Sequence, residues 1–297
     1  MQFIPFHPVA QKENRMSFKT SVIISTDTSS EWLEMALWGY GNQSYKGFQV
    51  IVADNGSDSE TIDVVRDFQK NSGMTIDYLQ HEEADCQRSF MLNKAIKYAS
   101  GDYLIFVDAD CVPRKDFVSV HRKSARPNHF LSGGHTNLPM CCSVRVDRDA
   151  VLSGDLFDIV WLQQNGYPDT AKRLRLVLKQ PLSGLFNLIP TENNWNGHNA
   201  SGWKENIIGV NGFDERIKNG SECFDLGERL KHSGVKTRRI RYTAVSVHLS
   251  HQPDYINGAH CPVNIAIRNE TIKNRVDFTP YGILQDGAFS KTGYTRS

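Results

Sequence analysis

Residues 20 to 110 alternate between short apolar runs and segments in which apolar residues recur at helical spacing, with turn residues between them. This alternation is typical of a parallel sheet whose strands are connected through helices. The predicted strands are Ser21 to Ser25, Phe48 to Ala53, Thr75 to Leu79 and Tyr103 to Val107, and the predicted helices are Ser30 to Trp38, Glu60 to Asn71 and Gln87 to Ala99. Because the strands are almost continuously apolar, we expect an α/β fold in which helices cover both faces of the sheet.

The remaining two thirds of the chain have a less regular pattern. Helices are predicted at Lys115 to Lys123, Trp203 to Val210, Phe224 to Ser233 and residues 262 to 275, and one strand at Arg239 to Val247. Residues 145 to 180 mix charged and apolar residues without a clean period. We interpret them as a mobile or acceptor-facing segment, and the last twenty residues as a surface tail.

The overall charge is nearly balanced, with 34 basic and 33 acidic residues, so nothing global favours a nucleic-acid partner. No apolar run approaches the roughly 18 residues of a membrane-spanning helix, and Met1 to Ser17 lacks the core and cleavage site of a signal peptide. We therefore expect a cytoplasmic protein. The basic segment Lys172 to Lys179 would permit peripheral association with the inner face of a membrane, although such runs are usually solvated. The six cysteines form no C-x-x-C pair, which favours reduced packing thiols over a zinc site.

Carboxylates stand at the ends of two predicted strands, where ligands of open α/β sheets bind. Asp108 and Asp110 flank Ala109 directly after the fourth strand, and Asp54 ends the second. Such a pair suits a hard divalent cation that shares its remaining positions with substrate phosphates. Aspartates after strands also make turns and helix caps. Asp54 therefore has two open interpretations, a cap for the following helix or an acceptor of a hydrogen bond from a nucleoside.

Four segments occur in a characteristic order, namely SVIISTDT, QVIVADNGSD, LNKAIKYASGDYLIFVDADCVPRKDF and GHNASGWKENIIGVNGFDE. Together they resemble the inverting glycosyltransferases of family 2, which have the GT-A fold. The second half is similar to the galactosyltransferase and chondroitin polymerase type. The resemblance implies a single GT-A domain at residues 18–251, with a nucleotide-binding half at 18–125, an acceptor and catalytic half at 126–251, and a C-terminal helical extension at 252–297.

The resemblance also assigns roles to residues around the donor. It implies that Thr26 and Asp54 contact the nucleoside, usually uridine, and that Asn199 lies beside the donor sugar. His198 stands where the family usually has a small residue, a departure that would alter donor preference.

A metal site is implied as well. Asp108 and Asp110 would hold Mn²⁺ or Mg²⁺ against the diphosphate, and His248 would complete the site. His251 is an alternative to His248, and a structural role is as plausible for either histidine.

The acidic pair departs from the family pattern. The family has G-G-E-D, and its second acid commonly serves as the general base, whereas this chain reads Ser221-Glu222-Cys223-Phe224-Asp225. A cysteine with a pKa of about 8.5 is a poor base for this task. Glu222 could act instead, although one helical position rotates a side chain by about 100°, and Asp225 would face solvent. Three outcomes stay open: Glu222 is the base, turnover is slow, or the protein binds a sugar nucleotide without transferring it.

The resulting expectation is a metal-dependent inverting glycosyltransferase of the hexosyl or N-acetylhexosaminyl type. It would move a sugar from a UDP-sugar to a hydroxyl of a glycan or lipid-linked acceptor in polysaccharide or glycoconjugate synthesis. The alternative is a sugar-nucleotide-binding protein with weakened or lost transferase activity.

Trp195 and Trp203 could stack on a sugar face, although tryptophan more often lies in a core. A nucleotidyltransferase or dinucleotide oxidoreductase is disfavoured because no glycine-rich phosphate loop follows the first strand.

Overall fold

A computed structural model describes residues 17–26, 30–57, 59–81, 87–191, 194–218, 221–250 and 261–284. The strands are β1 (Thr20–Thr26), β2 (Phe48–Asp54), β3 (Asp77–Gln80), β4 (Tyr103–Asp108), β5 (Cys111–Pro113), β6 (His129–Ser132), β7 (Gly134–Asn137), β8 (Ala200–Trp203), β9 (Lys236–Arg239) and β10 (Val245–His248). The helices are α1 (Ser30–Gly41), α2 (Ser59–Ser72), α3 (Arg88–Tyr98), α4 (Phe117–Ser124), α5 (Met140–Ser143), α6 (Arg148–Ser153), α7 (Ile159–Gln164), α8 (Leu174–Val177), α9 (Leu182–Phe186), α10 (Lys204–Gly209), α11 (Glu222–His232) and α12 (Pro262–Lys273).

The central sheet has seven strands in the order β3-β2-β1-β4-β8-β6-β9. The first four run parallel to one another, β8 runs antiparallel to β4 and β6, and β9 runs parallel to β6. Helices flank this mainly parallel sheet, and the predicted α/β fold class is confirmed.

Alternate residues of the inner strands belong to two different apolar layers, one on each face of the sheet. Val22 and Ile24 of β1 belong to the layer that contains the α1 side chains, whereas Ile23 belongs to the layer that contains Met91 and Leu92 of α3. Successive side chains of a strand point to opposite faces, so a continuous apolar run serves both layers. Each fully buried side chain of this kind contributes about 1.5–3 kcal/mol.

A second, three-stranded sheet has the order β5-β10-β7. The single strand predicted at Arg239 to Val247 is wrong, because β9 ends at Arg239 and β10 begins at Val245 in the other sheet. A turn separates them, in which the backbone N–H groups of Thr243 and Ala244 donate to the carbonyl of Ile240 at 3.1 and 2.9 Å. The residues on both sides of this turn have the alternation of one continuous strand, which conceals the change of sheet.

Residues 145 to 180, for which no regular structure was predicted, contain three short α-helices and two 3₁₀ helices. Asp147 caps α6 by accepting from the N–H of Ala150 at 2.8 Å, and Asp158 caps α7 by accepting from the N–H of Val160 at 2.7 Å. Helices of four to six residues are too short to produce a visible apolar period. The predicted C-terminal helix is present as α12. Every helix in the described part of the chain is too short or too polar to serve as a membrane span.

Candidate functional site

Three parallel strands end together at one edge of the central sheet. In the strand register Thr26 of β1 pairs with Asp54 of β2, and Ser25 of β1 pairs with Asp108 of β4. The structure therefore brings the ends of β1, β2 and β4 side by side, as expected for ligand-binding residues of an open α/β sheet.

Asp54 is fully buried and organises the loop that follows β2. Its carboxylate accepts from the backbone N–H groups of Gly56 and Ser57 at 3.1 and 2.8 Å, and it also contacts the hydroxyl of Tyr78. Beside it, the buried hydroxyl of Thr26 has no hydrogen-bond partner among the described residues. The contacts of both residues with a nucleoside stay predictions, and Asp54 also performs the turn-forming role that the sequence left open.

Asp108 lies between a guanidinium and an imidazole. Its carboxylate contacts the guanidinium of Arg88, the first residue of α3, and the imidazole of His198. Burial alone would raise the pKa of Asp108, but Arg88 and His198 outweigh it and hold that pKa well below its usual range. Burial would likewise lower the pKa of His198, but Asp108 raises it overall. Asp108 therefore remains an ionised carboxylate inside the protein.

A possible metal-binding cluster lies next to Asp108. Ligand atoms of Asp110, Cys111, His198 and His248 all fall within 4.8 Å of one another, and Nε2 of His248 is 3.0 Å from Oδ2 of Asp110. One carboxylate and two imidazoles are oxygen and nitrogen donors of the kinds that divalent cations take in proteins. Burial and the Asp110 charge raise the pKa of the Cys111 thiol.

This cluster differs in composition from the ligand set that the sequence implied. The cluster contains Asp110 and His248 and includes His198 as well. The Asp108 carboxylate lies next to the cluster and contacts Arg88 and His198. The assignment of Asp108, Asp110 and His248 as ligands stays a prediction. The alternative ligand His251 lies outside the described residues.

A third histidine, His135 on β7, packs against the cluster. Its ring centroid is 4.8 Å from that of His198 and 5.5 Å from that of His248. Burial, followed by the nearby cationic groups, lowers the pKa of His135 to about 3, so its imidazole is neutral. Sequence reasoning missed His135, because a lone histidine in an unpredicted strand carries no motif.

Glu222, the candidate base, is the first residue of α11 and is buried. Its Oε1 lies 3.4 Å from Nε of Arg88, whose other side contacts Asp108. Arg88 thus connects the candidate base to Asp108. The sequence analysis also missed Arg88, for which the available signal was a basic residue starting the helix before the Asp108 strand.

Cys223 lies under the turn at Gly197. A Cβ atom added to Gly197 would stand 2.6 Å from the sulfur of Cys223, so only glycine fits there without movement. Burial and the charge of Glu222 raise the pKa of Cys223 well above its ordinary value. The thiol is therefore neutral and is no substitute for a carboxylate base.

Asp225 does not face solvent, contrary to the prediction. It is buried, and its two carboxylate oxygens accept from Nε of Arg229 at 2.8 Å and from the hydroxyl of Thr271 at 2.7 Å. Helix α12 covers this face of α11, a tertiary contact that the local sequence does not reveal. Asp225 thus joins the two helices.

Asn199 is fully buried, and its side chain is used by protein groups. Its Nδ2 donates to the carbonyls of Gly134 and Ala244 at 2.9 and 3.0 Å, and its Oδ1 lies 3.0 Å from Nε2 of His121. Asn199 therefore fixes the backbone around the His198 turn, and its contact with a donor sugar stays a prediction.

The two tryptophans considered for sugar stacking lie in the core. Trp195 is 1% exposed and packs its ring 5.3 Å from that of Phe106, and Trp203 is 8% exposed and packs 5.1 Å from Tyr103. Neither ring offers a face to a ligand, so the stacking interpretation is wrong.

The fold is that of the GT-A glycosyltransferases. Residues 21–130 match the profile of Glycosyl transferase family 2. YfnE of Bacillus subtilis, described as an uncharacterized glycosyltransferase, is 26% identical over 288 residues that cover 86% of this chain and 71% of YfnE. A Campylobacter jejuni protein, GalNAc(5)-diNAcBac-PP-undecaprenol beta-1,3-glucosyltransferase, is 32% identical over 92 residues that cover 31% of this chain and 29% of its own length.

Solved structures share the fold at low sequence identity. The mannosyltransferase PcManGT from Pyrobaculum calidifontis, in complex with GDP-Man and Mn²⁺, has a TM-score of 0.55 and 16% identity, covering 81% of this chain and 59% of that one. TarS 1-349 of S. aureus, in complex with UDP, has a TM-score of 0.53 and 14% identity, covering 86% and 72%. The profile match covers residues 21–130, and the solved structures share the GT-A fold with this chain.

Proposed function

We propose that the chain is a metal-dependent inverting glycosyltransferase that moves a sugar from a UDP-sugar to a hydroxyl of a glycan or lipid-linked acceptor. The observation that carries this proposal is the position of Arg88, which contacts both Asp108 and Glu222 in one buried site. That contact joins the candidate diphosphate side to the candidate base. S. aureus TarS, which has a similar fold, has been solved with UDP and with UDP-GlcNAc, in support of a uridine donor.

In this proposal Asp110, His198 and His248 hold the divalent cation, and Asp108 remains beside them as an ionised carboxylate. When bound, the cation supplies positive charge that stabilises the departing diphosphate. Arg88 adds a fixed positive charge at the same edge of the sheet. Thr26 and Asp54, at the ends of β1 and β2, contact the nucleoside, and Asn199 supports the turn beside the donor sugar.

Glu222 is the general base in this proposal. Its carboxylate is buried at the start of α11, and Arg88 holds it in position. Asp225, the next acid along α11, is occupied by Arg229 and Thr271. Glu222 takes the proton of the acceptor hydroxyl as its oxygen bonds to the anomeric carbon from the face opposite the diphosphate. The bond from that carbon to the diphosphate breaks at the same time, so the configuration is inverted.

Two relatives support a lipid-linked acceptor through their names. The Campylobacter jejuni protein is named for a PP-undecaprenol substrate, and a Methanococcus voltae protein that is 28% identical over 101 residues is named for a dolichyl phosphate-linked sugar. Transfer of a hexose or N-acetylhexosamine in polysaccharide or glycoconjugate synthesis, at the inner face of a membrane, is consistent with such acceptors.

Cys223 favours a second candidate function, a sugar-nucleotide-binding protein with weakened or lost transferase activity. Cysteine supplies no carboxylate at the position where the family usually has its base, and the raised pKa of the thiol keeps it neutral. Under this alternative the donor site is retained and turnover is slow or absent.

The decisive experiment measures binding and turnover together. Thermal unfolding is followed with UDP, UDP-GlcNAc, UDP-glucose and GDP-mannose, each with and without Mn²⁺, and UDP release is measured separately. A ligand at about 100 times its dissociation constant stabilises the native state by about 2.7 kcal/mol. We expect stabilisation by uridine ligands only when Mn²⁺ is present, together with UDP release. Stabilisation without release supports the second candidate, and no response to any uridine ligand overturns both.

A further inference from the structure

A second pocket lies outside the candidate active site, between α9 and the turn that joins β9 to β10. It is a cleft of about 50 Å³ that opens to solvent. Three of the eight residues that line it are arginines, Arg175, Arg239 and Arg241, and within the described part of the chain no carboxylate lines it. Guanidinium groups present planar sets of donors that match phosphate oxygens, so the lining suits an anion.

The pocket walls are held together by specific contacts. Asn187 accepts from the N–H of Tyr242 at 2.9 Å and donates to the hydroxyl of Thr243 at 3.1 Å. The rings of Phe186 and Tyr242 pack with their centroids 5.4 Å apart. These bonds fix the segment after α9 to the turn between the two sheets, and they give the pocket a defined shape.

One arginine has an unused donor in this pocket. Nη2 of Arg239 donates to the carbonyl of Thr191 at 3.1 Å, whereas its buried Nε has no partner among the residues that the structure describes. A buried N–H without an acceptor is unfavourable. An anionic oxygen in the pocket would provide that acceptor.

An exposed apolar ridge borders the pocket. Ile189 both lines the pocket and is 45% exposed, and Leu182, Leu185 and Leu188 are 53, 59 and 72% exposed. Exposed leucines beside clustered basic residues are typical of surfaces that meet an anionic lipid interface. The ridge and the arginines together match an amphiphile whose anionic head carries a hydrocarbon chain.

The pocket and the candidate active site lie on either side of β7. The guanidinium of Arg175 contacts the carbonyl of His135, whose ring packs against His198. A Cβ atom added to Gly134 would stand 3.2 Å from the guanidinium carbon of Arg175 and 3.3 Å from Cβ of Arg241. An anionic group bound by the arginines is therefore separated from the histidine cluster by a single strand.

We propose that this pocket binds the phosphate or diphosphate group of a long-chain lipid, and that the apolar ridge contacts the lipid chain at the membrane surface. The inference rests on the proposed function in one respect, that such a lipid carries the acceptor sugar. Binding of the lipid head group itself requires neither donor nor metal, so it is testable without transfer.

The test is co-sedimentation with phosphatidylcholine vesicles that contain a polyprenyl diphosphate, compared with vesicles that carry the same charge as phosphatidylserine. We expect at least tenfold tighter binding to the polyprenyl diphosphate vesicles. The double variant Arg239→Gln/Arg241→Gln should lose this preference, whereas Arg66→Gln, an exposed arginine on α2, should keep it. The midpoint of thermal unfolding of each variant without ligand serves as the folding control.

A second double variant distinguishes the ridge from the pocket and leaves the arginines unchanged. Leu185→Ser/Leu188→Ser changes two exposed side chains, so it should weaken vesicle binding at least tenfold and leave binding of inorganic pyrophosphate, measured by calorimetry, unchanged. Equal affinity for both vesicle types would overturn the proposal in favour of general attraction to anionic membranes. Binding of inorganic pyrophosphate without vesicle binding would overturn it in favour of a free-anion site. Preferential vesicle binding by a protein that releases no UDP would uphold the pocket and contradict the transferase.

Discussion

The Nε atom of Arg88 lies 3.4 Å from Oε1 of Glu222, so the first residues of α3 and α11 meet inside the protein. Arg88 also contacts Asp108 at the end of β4. One guanidinium therefore joins the end of β4 to the start of α11, which carries the candidate base. The proposed chemistry depends on this junction.

Replacing the candidate base should separate binding from turnover. Glu222→Gln keeps the size of the side chain but removes its ability to accept a proton, so we expect UDP release to fall by about 10²–10⁴-fold. Stabilisation by UDP and Mn²⁺ should persist. Glu228→Gln is the matched control, because Glu228 lies on the same helix and pairs with Lys231 away from the site. Wild-type turnover by the Glu222 variant would assign the base to another group.

Placing an acid at position 223, where the family usually has one, tests the second candidate function. If Glu222 is the base, Cys223→Asp places a second negative charge next to it and UDP release should not increase. Cys223→Ser is the control for size without charge. An increase of 100-fold or more in the Asp variant alone would show that the wild-type protein is a weakened enzyme.

Metal binding should depend on Asp110. Asp110→Asn removes one negative charge from the cluster that includes His198 and His248. We expect it to abolish the additional thermal stabilisation that Mn²⁺ gives in the presence of UDP. Asp116→Asn is the control, since Asp116 lies further along the same segment and pairs with Arg114. Undiminished Mn²⁺-dependent stabilisation in the Asp110 variant would rule out this cluster as the metal site.

The buried histidine beneath the site should make stability depend on pH. Burial lowers the pKa of His121 to about 3, compared with about 6.5 in an unfolded chain. Between these values the unfolded state binds one more proton than the folded state. The contribution of neutral His121 to the free energy of unfolding is therefore complete above about pH 6.5. Between the two pKa values it decreases by about 1.4 kcal/mol for each unit that the pH falls.

The measurement compares urea unfolding of wild type and His121→Gln at pH 7, 6 and 5. We expect the free energy of unfolding of the variant to depend less on pH. The difference in free energy of unfolding between the two proteins should therefore narrow as the pH falls. Ser201→Ala is the control: it removes the hydroxyl 2.8 Å from Nδ1 of His121 but keeps the titrating imidazole, and so should keep the wild-type slope. A gap that is constant with pH would contradict a neutral buried His121.

The sequence was informative where structure is local. Apolar runs predicted β1, β2 and β4 to within one residue at either end, and parallel strands place Thr26, Asp54 and Asp108 at one edge. Strands β6, β7 and β8 were not predicted, because they are four residues long and their pairing depends on distant segments.

The site was predicted in part for the same reason. Asp110 was predicted from its place after the fourth strand and His248 from the family resemblance. The two lie 3.0 Å apart, although their metal binding stays a prediction. The contacts of Arg88 with Asp108 and Glu222, and of His135 with His198, arise from tertiary packing. No spacing along the chain encodes such contacts.

The pairing of His248 with Cys111 across β10 and β5 has a consequence for how the site can change. Strand register is discrete, and a shift by one residue turns every side chain to the opposite face. A deletion of one residue between Val245 and His248 would therefore turn the histidine away from Asp110 altogether, while leaving a strand that still pairs. In laboratory evolution of this protein, substitutions can tune the site gradually, but insertions and deletions in β10 can only keep it or lose it.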